Sequence, residues 1–155
     1  MRAVVQRVSR AAVRVGDEAA GEIQRGLCVL LSVDPGDDER VAGHLAGRIA
    51  GLRIFPDPAG RMNLDLPSVG GEVLVVSQFT LHADASRGHR PSFIAAGEAA
   101  LAERLCDRFC EAIRGRGLRV ATGRFGAHMQ VELVNDGPVT LVLSSGEDPW
   151  RADAG

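Results

Sequence analysis

The segment 71–81 is the feature of this sequence that most constrains its fold. It reads Gly-Glu-Val-Leu-Val-Val-Ser-Gln-Phe-Thr-Leu, an aliphatic run that follows a pair of glycines and then turns abruptly polar. A continuous aliphatic run bounded by glycine is typical of a β-strand that is buried on both faces. We therefore expect this segment to be the central strand of the fold.

Polar side chains follow at the point where that strand is expected to end. Ser77, Gln78 and Thr80 supply two hydroxyl groups and an amide. Polar groups at the end of a rigid strand are well placed to hold a ligand. The same groups commonly satisfy free backbone groups at a strand end. This segment alone leaves a binding site and a purely structural role both open.

Hydrophobic periodicity divides the rest of the chain into further strands and two main helices. The 155 residues fit one domain, without a repeat or a linker. Apolar residues at three- and four-residue steps predict helices along 41–52 and 98–114. Alternating or aliphatic runs predict strands at 2–8 with a bend into 11–15, and at 21–23, 27–33, 53–55, 61–64, 118–122, 128–134 and 139–143. The sequence therefore predicts an α/β domain over 1–143, followed by a polar tail at 144–155.

Composition is that of an ordinary soluble protein. Hydrophobic residues make up 45% of the chain, and no apolar run approaches the ~20 residues that span a membrane. The first seven residues include two arginines and lack the apolar core of a signal peptide, so we expect a cytoplasmic protein without a membrane partner. The net charge of -2 does not indicate a nucleic-acid binder. RNA binding through a local basic patch stays open.

The three cysteines, Cys28, Cys106 and Cys110, do not have the spacing of a disulfide framework. A metal pair at Cys106 and Cys110 is conceivable, but further ligands at a suitable spacing are missing. We therefore predict buried thiols, with no metal and no cofactor.

The segment 82–93 is a polar loop too long for a hairpin. It carries two histidines and two arginines, Arg87 and Arg90, and is the one dense basic patch of the sequence. The chain contains arginine but no lysine. The guanidinium group of arginine forms paired hydrogen bonds to phosphate. Long loops without secondary structure are often functional, so Arg87 and Arg90 are our candidates for phosphate contacts.

A Gly-Pro pair, Gly137-Pro138, lies in a predicted loop between the last two strands. Only about 5–6% of X-Pro bonds in folded proteins are cis, so the sequence by itself predicts an ordinary trans turn. Phosphate-binding glycine loops, dinucleotide fingerprints, nucleophile elbows and zinc helix motifs are absent from the sequence. A catalytic arrangement is therefore not evident from these standard patterns.

Two motifs do resemble a known family. Ser77-Gln78-Phe79-Thr80-Leu81 and Asn135-Asp136-Gly137-Pro138-Val139-Thr140 resemble the signature motifs of the D-aminoacyl-tRNA deacylases, also called D-tyrosyl-tRNA deacylases. The resemblance runs from residue 1 to about 143 and includes these further stretches: 1–9, 52–55, 62–64, 90–93 and 122–127. Three parts depart from the family pattern: the loop 82–89, the residue His128 and the tail past Ser145. These departures concern substrate preference and RNA affinity rather than the reaction.

This resemblance implies a homodimer of compact α/β subunits, each with a strongly curved, barrel-like sheet, and an active site at the dimer interface. Ser77, Gln78, Phe79 and Thr80 would line the site from one subunit. Gly137 and Pro138, joined by a cis bond in the family, would enter from the other. In the same family terms Arg7 holds that loop, and Met129 and Asn135 belong to the substrate-binding residues.

The implied substrate is an ester between an amino acid and the terminal ribose of tRNA. Its hydrolysis needs an activated water and a donor for the carbonyl oxygen, and the backbone N–H of Phe79, aided by Thr80, fits the second role. In family terms a neighbouring ribose 2′-hydroxyl assists the water. Thr80 as a nucleophile is the alternative, although the sequence shows no activating base for it.

Rejection of the L-amino acid must be built into such a site, because the two enantiomers carry the same groups. Rigid carbonyl groups of Gly137 and Pro138 beside the α-carbon would clash with an L side chain and leave room for a D side chain or for glycine. Two functions of other classes are alternatives: a non-catalytic RNA-binding dimer that uses Arg87 and Arg90, and a small-molecule esterase with Thr80 as nucleophile. We expect aminoacyl-tRNA as the partner, and no DNA.

Overall fold

The computed structural model describes residues 1–146. Its strands are β1 (Arg2–Val15), β2 (Glu18–Ile23), β3 (Gly26–Ser32), β4 (Phe55–Pro56), β5 (Met62–Leu64), β6 (Glu72–Ser77), β7 (Val120–Thr122) and β8 (Gln130–Ser144). The helices are α1 (Glu39–Ala50) and α2 (Ala99–Arg114), with 3₁₀ turns at Pro67–Val69 and Phe79–His82. The greater part of the predicted tail, 147–155, lies outside the described residues.

One six-stranded sheet forms the body of the protein. Its strand order is β2-β1-β3-β6-β7, and β8 pairs with β1. The pairs β3–β6 and β6–β7 are parallel, while β1 is antiparallel to β2, β3 and β8. The two ends of the path approach each other, since a Cβ on Gly21 of β2 would lie 2.5 Å from the carbonyl oxygen of Thr122 in β7. The sheet is therefore a nearly closed barrel, and the predicted α/β class with a curved sheet is confirmed.

Strands β3 and β6 are aliphatic on both faces because each face packs into a different core. Val73 and Val75 belong to the larger cluster, which includes the buried faces of α1 and α2. Leu74 and Val76 point to a smaller cluster with Val8 and other residues of β1 and β2. A strand that supports two cores has no polar face, which explains the aliphatic run.

Both predicted helices are present, with their predicted apolar residues inward. The carboxylate of Asp38 caps α1 by accepting from the N–H of Val41 at 2.8 Å. Leu105, Phe109 and Ile113 are the buried stripe of α2. Within residues 1–146, no helix is long and apolar enough to cross a membrane.

One prediction about the strands was wrong. The segment around Gly137 was expected to be a loop between two strands, but β8 is one strand from Gln130 to Ser144. Opposite it, β1 advances from Gln6 to Val8 while β8 goes from Thr140 to Asn135, so residues 136–139 protrude as a wide bulge. Both halves of β8 pair with the single long strand β1, which keeps the two ends of the bulge in one ladder.

Close approach of β3 to β6 gives a testable difference between two glycines. A Cβ on Gly26 would lie 1.9 Å from the carbonyl oxygen of Glu72 in the adjacent strand, whereas nothing lies within 4 Å of a Cβ on Gly43 in α1. We expect Gly26→Ala to lower the free energy of unfolding by about 3 kcal/mol or more, since backbone must move. Gly43→Ala is expected to raise it by about 0.5–1 kcal/mol through helix propensity. Urea unfolding of both variants checks this, and equal effects would contradict the packing described.

Candidate active site

A cleft of about 600 Å³ opens beside the end of β6. Ser77, Gln78 and Phe79 form one wall, and Met129 lies on the segment that leads into β8. The other walls come from the end of β3 with Ser32, from residues 125–128, and from the start of α2 with the residues before it. The structure thus places four of the predicted site residues around a single cavity, although Met129 is about fifty positions away in sequence.

The turn after β6 leaves two backbone donors free. The N–H of Gln78 donates to the carbonyl oxygen of Leu31 at 2.7 Å, which extends the β3–β6 pairing by one residue. The next residues form the 3₁₀ turn Phe79–His82, and the first N–H groups of such a turn have no partner within it. In residues 1–146, neither Phe79 nor Thr80 donates its N–H to another group. Two unpaired donors at the cleft are suited to an oxygen that carries negative charge.

Thr80 is exposed and stands next to the cleft rather than on its wall. Its hydroxyl oxygen accepts a hydrogen bond from the side-chain amide of Gln78. An amide N–H is a donor and does not remove a proton. Within the part of the chain that the structure describes, no basic side chain bonds to this hydroxyl, so the arrangement does not activate it as a nucleophile.

An aromatic pair forms the lip of the cleft. Phe79 is 58% exposed, and its ring meets that of Phe93 edge to face with a centroid distance of 5.1 Å. Edge-to-face packing holds both rings in place. Phe93 was not among the predicted site residues. Its only signal in the sequence was its place at the end of the family-like stretch 90–93.

The bulge of β8 is a separate feature on the surface. The Gly137–Pro138 bond is cis, both residues are exposed, and neither lines the cleft. A Cβ on Gly137, at a φ of 155°, would lie 2.6 Å from the backbone nitrogen of Val139. No side chain fits at Gly137 without a shift of this backbone, so the tip of the bulge is restricted to glycine.

Two polar side chains fix the base of this bulge. Asn135 accepts from the N–H of Val139 at 2.8 Å and donates to the hydroxyl of Thr140 at 3.1 Å. Arg7 is 8% exposed and donates through Nε to the carbonyl oxygen of Asp136 at 2.8 Å, and through its terminal nitrogen to that of Ile54. The predicted role of Arg7 in holding this loop therefore has a direct geometric counterpart. Asn135 likewise lies at the base of the bulge and not at the cleft.

The predicted basic loop divides into two parts. Arg87, His89 and Arg90 are exposed, and a bridge between Asp84 and Ser92 closes the base of the loop. Among the described residues, neither arginine forms an ion pair. His82 is different: it is 1% exposed and lies at the end of the 3₁₀ turn, so its assignment to the polar loop was wrong.

The three cysteines are free and buried, as predicted. Burial raises the pKa of Cys28 and Cys110 to about 11 and that of Cys106 to about 12, so the thiols stay protonated at neutral pH. Cys106 lies at the cleft wall, as does His128. Across residues 1–146, no three His, Cys, Asp or Glu side chains are grouped so as to hold a metal ion.

Comparison with known proteins gives consistent matches along the chain. The family model described as D-Tyr-tRNA(Tyr) deacylase matches residues 4–144. A D-aminoacyl-tRNA deacylase of Symbiobacterium thermophilum is 55% identical over 145 residues, which cover 94% of this chain and 96% of that protein. One from a Roseiflexus species is 57% identical over 145 residues, 94% of each chain.

Two solved structures match over more than nine-tenths of the chain. A c-Myc DNA unwinding element binding protein has 41% identity and a TM-score of 0.87, with 94% of this chain and 99% of that chain covered. A structure described as a probable eukaryotic D-amino acid tRNA deacylase has a TM-score of 0.77 at 20% identity, covering 92% of this chain and 97% of that one, and so shares the fold.

Arg7 gives a stability prediction. Arg7→Met leaves the buried carbonyl group of Ile54 and the partly buried carbonyl group of Asp136 without their donor, and we expect the free energy of unfolding to fall by about 2–3 kcal/mol. Arg10 lies on the same strand but is exposed, so Arg10→Met should change the free energy of unfolding by less than about 0.5 kcal/mol. Chemical unfolding of both variants measures the difference. A loss of similar size at both positions would show that Arg7 does not hold the bulge.

Asp34 gives a prediction on pH. Its partial burial favours a higher pKa, but hydrogen bonds and charge from the Met1 ammonium group and His82 outweigh burial and hold the pKa of Asp34 below 3.8. A carboxyl group with a lowered pKa in the folded state contributes stability above its unfolded pKa, and that contribution is lost as the pH falls through the folded value. The stability of Asp34→Asn should therefore fall less than that of the unchanged protein from about pH 5 to about pH 2.5.

Urea unfolding at several pH values measures this difference. Asp17→Asn, a change in an exposed turn, is the control and should follow the unchanged protein. Parallel curves for Asp34→Asn and the unchanged protein would contradict the contacts assigned to Asp34.

Proposed function

Because the chain belongs to the D-Tyr-tRNA(Tyr) deacylase family, we propose that it hydrolyses the ester bond of D-aminoacyl-tRNA in the cytoplasm. The products are the free D-amino acid and tRNA, and glycine mischarged on tRNA is a second substrate. The observation that carries the proposal is the pair of unpaired N–H groups, Phe79 and Thr80, at the end of β6 beside a cleft of about 600 Å³. No metal or cofactor is part of the proposed reaction.

We propose a homodimer in which each cleft is completed by the other subunit. The Gly137–Pro138 tip is exposed and does not line the cleft of its own subunit. Within the described residues, β8 pairs with β1 alone, and its side chains Val131, Val134 and Val142 are 37%, 39% and 56% exposed. An edge strand with exposed aliphatic residues favours association with another copy. Such association would bring the bulge to a second cleft.

The reaction needs stabilisation of the oxygen that becomes negative when water attacks the ester. The N–H groups of Phe79 and Thr80 are proposed to donate to this oxygen, a contribution worth on the order of 10²–10³ in rate for one donor. The attacking water is assisted by the neighbouring ribose 2′-hydroxyl of the substrate. Thr80 positions the turn through its contact with Gln78 and is not the nucleophile.

Selection against L-amino acids is assigned to the backbone of the bulge. Asn135 and Arg7 hold the base of this loop through four hydrogen bonds, so its carbonyl groups do not move aside for a side chain. A rigid wall beside the α-carbon excludes an L side chain and tolerates a D side chain or a hydrogen. Because the wall is backbone, it acts in the same way on many amino acids.

Contacts with tRNA are assigned to two regions. Met129, on the cleft wall, contacts the terminal adenosine, and Arg87 and Arg90 contact phosphate groups from their exposed loop. Phosphate contacts of this kind make affinity fall with salt. DNA is not proposed as a partner, and a duplex DNA competitor serves as the control in binding assays.

Side-by-side deacylation of D-tyrosyl-tRNA and L-tyrosyl-tRNA tests the function. We expect release of D-tyrosine only. Release of both amino acids would show an esterase without a chiral filter. Binding of tRNA without release of either amino acid would favour an RNA-binding role, and loss of all turnover in Thr80→Ala together with hydrolysis of simple esters would favour a small-molecule esterase.

Pro138→Ala tests the filter itself. The substitution loosens the tip of the bulge, and we expect hydrolysis of L-tyrosyl-tRNA to rise by roughly tenfold, the equivalent of about 1.4 kcal/mol of lost rejection. Hydrolysis of the D ester should change less. Pro58→Ala, in an exposed turn away from the cleft, is the matched control. Unchanged discrimination in Pro138→Ala would refute the assignment.

A further inference from the structure

His82 is a buried histidine whose two ring nitrogens both have partners. Nδ1 contacts the hydroxyl of Ser32, and Nε2 lies 2.8 Å from a carboxylate oxygen of Asp34. Nε2–H donates to the carboxylate of Asp34, and Nδ1 faces the hydroxyl of Ser32. The ring therefore joins the 3₁₀ turn to two residues at the end of β3.

The partners of His82 are themselves held firmly. Ser32 is paired with Arg2 in the β1–β3 ladder. Asp34 accepts from the ammonium group of Met1 at 2.8 Å. The guanidinium group of Arg2 also donates to the carbonyl oxygen of Leu81 at 3.1 Å, so the same turn has a second attachment to β1. Three charged groups thus surround the ring: the carboxylate of Asp34, the ammonium group of Met1 and the guanidinium group of Arg2. The ammonium group also contacts Asp37.

A chain of Ser, His and Asp has the composition of a hydrolytic triad, but its geometry does not fit that role. Ser32 is 3% exposed and His82 is 1% exposed. A nucleophile must reach the carbonyl carbon of the substrate and pass its proton to the histidine. Ser32 lies along the cleft wall, but at 3% exposure its hydroxyl, held against the His82 ring, offers too little surface for attack on an ester carbonyl, and we assign this chain a structural role.

We propose that His82 is a positioning residue that holds the Phe79–His82 turn and thereby aims the N–H groups of Phe79 and Thr80 at the substrate. This inference rests on the proposed function. His82 is the last residue of the turn and Phe79 the first, so displacement of one end of this single turn moves the other. An error of about 1 Å in the position of catalytic groups costs up to about a hundredfold in rate.

Three variants separate this role from general stability. His82→Leu keeps apolar bulk in the buried site and removes both hydrogen bonds. His82→Gln keeps an amide N–H that is able to donate to Asp34. His44→Leu, on the exposed face of α1, is the control for the same chemical change. If His82→Leu does not fold, Ser32→Ala removes one of the two bonds and takes its place.

The first readout is amide hydrogen exchange, which needs no substrate. In His82→Leu we expect the N–H groups of Leu81 and Ala83, which bond within the turn, to exchange at least about tenfold faster, with α1 unchanged. In His82→Gln the increase should be smaller, and in His44→Leu there should be none. Unchanged exchange in the turn, or equal acceleration in α1 and α2, would overturn the proposal.

The second readout is steady-state hydrolysis of D-tyrosyl-tRNA. We expect kcat to fall roughly ten- to a hundredfold in His82→Leu, with KM within about twofold of the unchanged protein, and partial recovery in His82→Gln. A loss confined to KM, or full kcat in a folded His82→Leu protein, would contradict the positioning role. If the unchanged protein releases no D-tyrosine, the proposed function fails, and hydrogen exchange still decides the role of His82.

Discussion

The parallel pairing of β3 and β6 is the contact on which the rest of this structure depends. Each of the two strands supplies side chains to both cores, and Gly26 allows them to approach closely. Their carboxyl ends lie at the same edge of the sheet, where β6 continues into the turn with Phe79 and β3 continues towards Asp34. The free N–H groups and the residues that anchor them therefore come from two adjacent buried strands. Hydrogen-bond donors are placed precisely when they extend from rigid strands such as these.

In the proposed mechanism, the second part of the site consists of backbone rather than side chains. The bulge at Gly137 and Pro138 carries no functional group of its own, and its shape depends on Arg7 and Asn135 at its base. A filter that must accept many amino acids and reject one handedness is best made from groups that do not vary with the substrate. Because the Gly137–Pro138 tip does not line the cleft of its own subunit, we propose a dimer in which the bulge reaches the cleft of the other copy.

The sequence predicted the elements whose signals are local. The aliphatic run of β6 and the apolar stripes of α1 and α2 follow directly from periodicity. The bulge in β8 was assigned as a loop because it contains turn residues, including Gly137. Its pairing with β1 was not visible in the sequence, since the two segments are some 130 positions apart. His82 was assigned to a polar loop because its partners, Ser32 and Asp34, lie 50 and 48 residues away. Contacts between distant residues leave no periodic pattern, so neither feature was predictable from local signals.

A mixed dimer provides the most direct test of the cross-subunit filter. One copy carries Ala127→Trp, which fills its cleft, and the other carries Pro138→Ala; two different affinity tags isolate the mixed species. Its one working cleft belongs to the Pro138→Ala copy and faces the intact bulge of the other copy. The account predicts discrimination between D- and L-tyrosyl-tRNA equal to that of the unchanged protein. Discrimination as poor as that of the Pro138→Ala homodimer would show that each subunit filters for itself and would contradict the account.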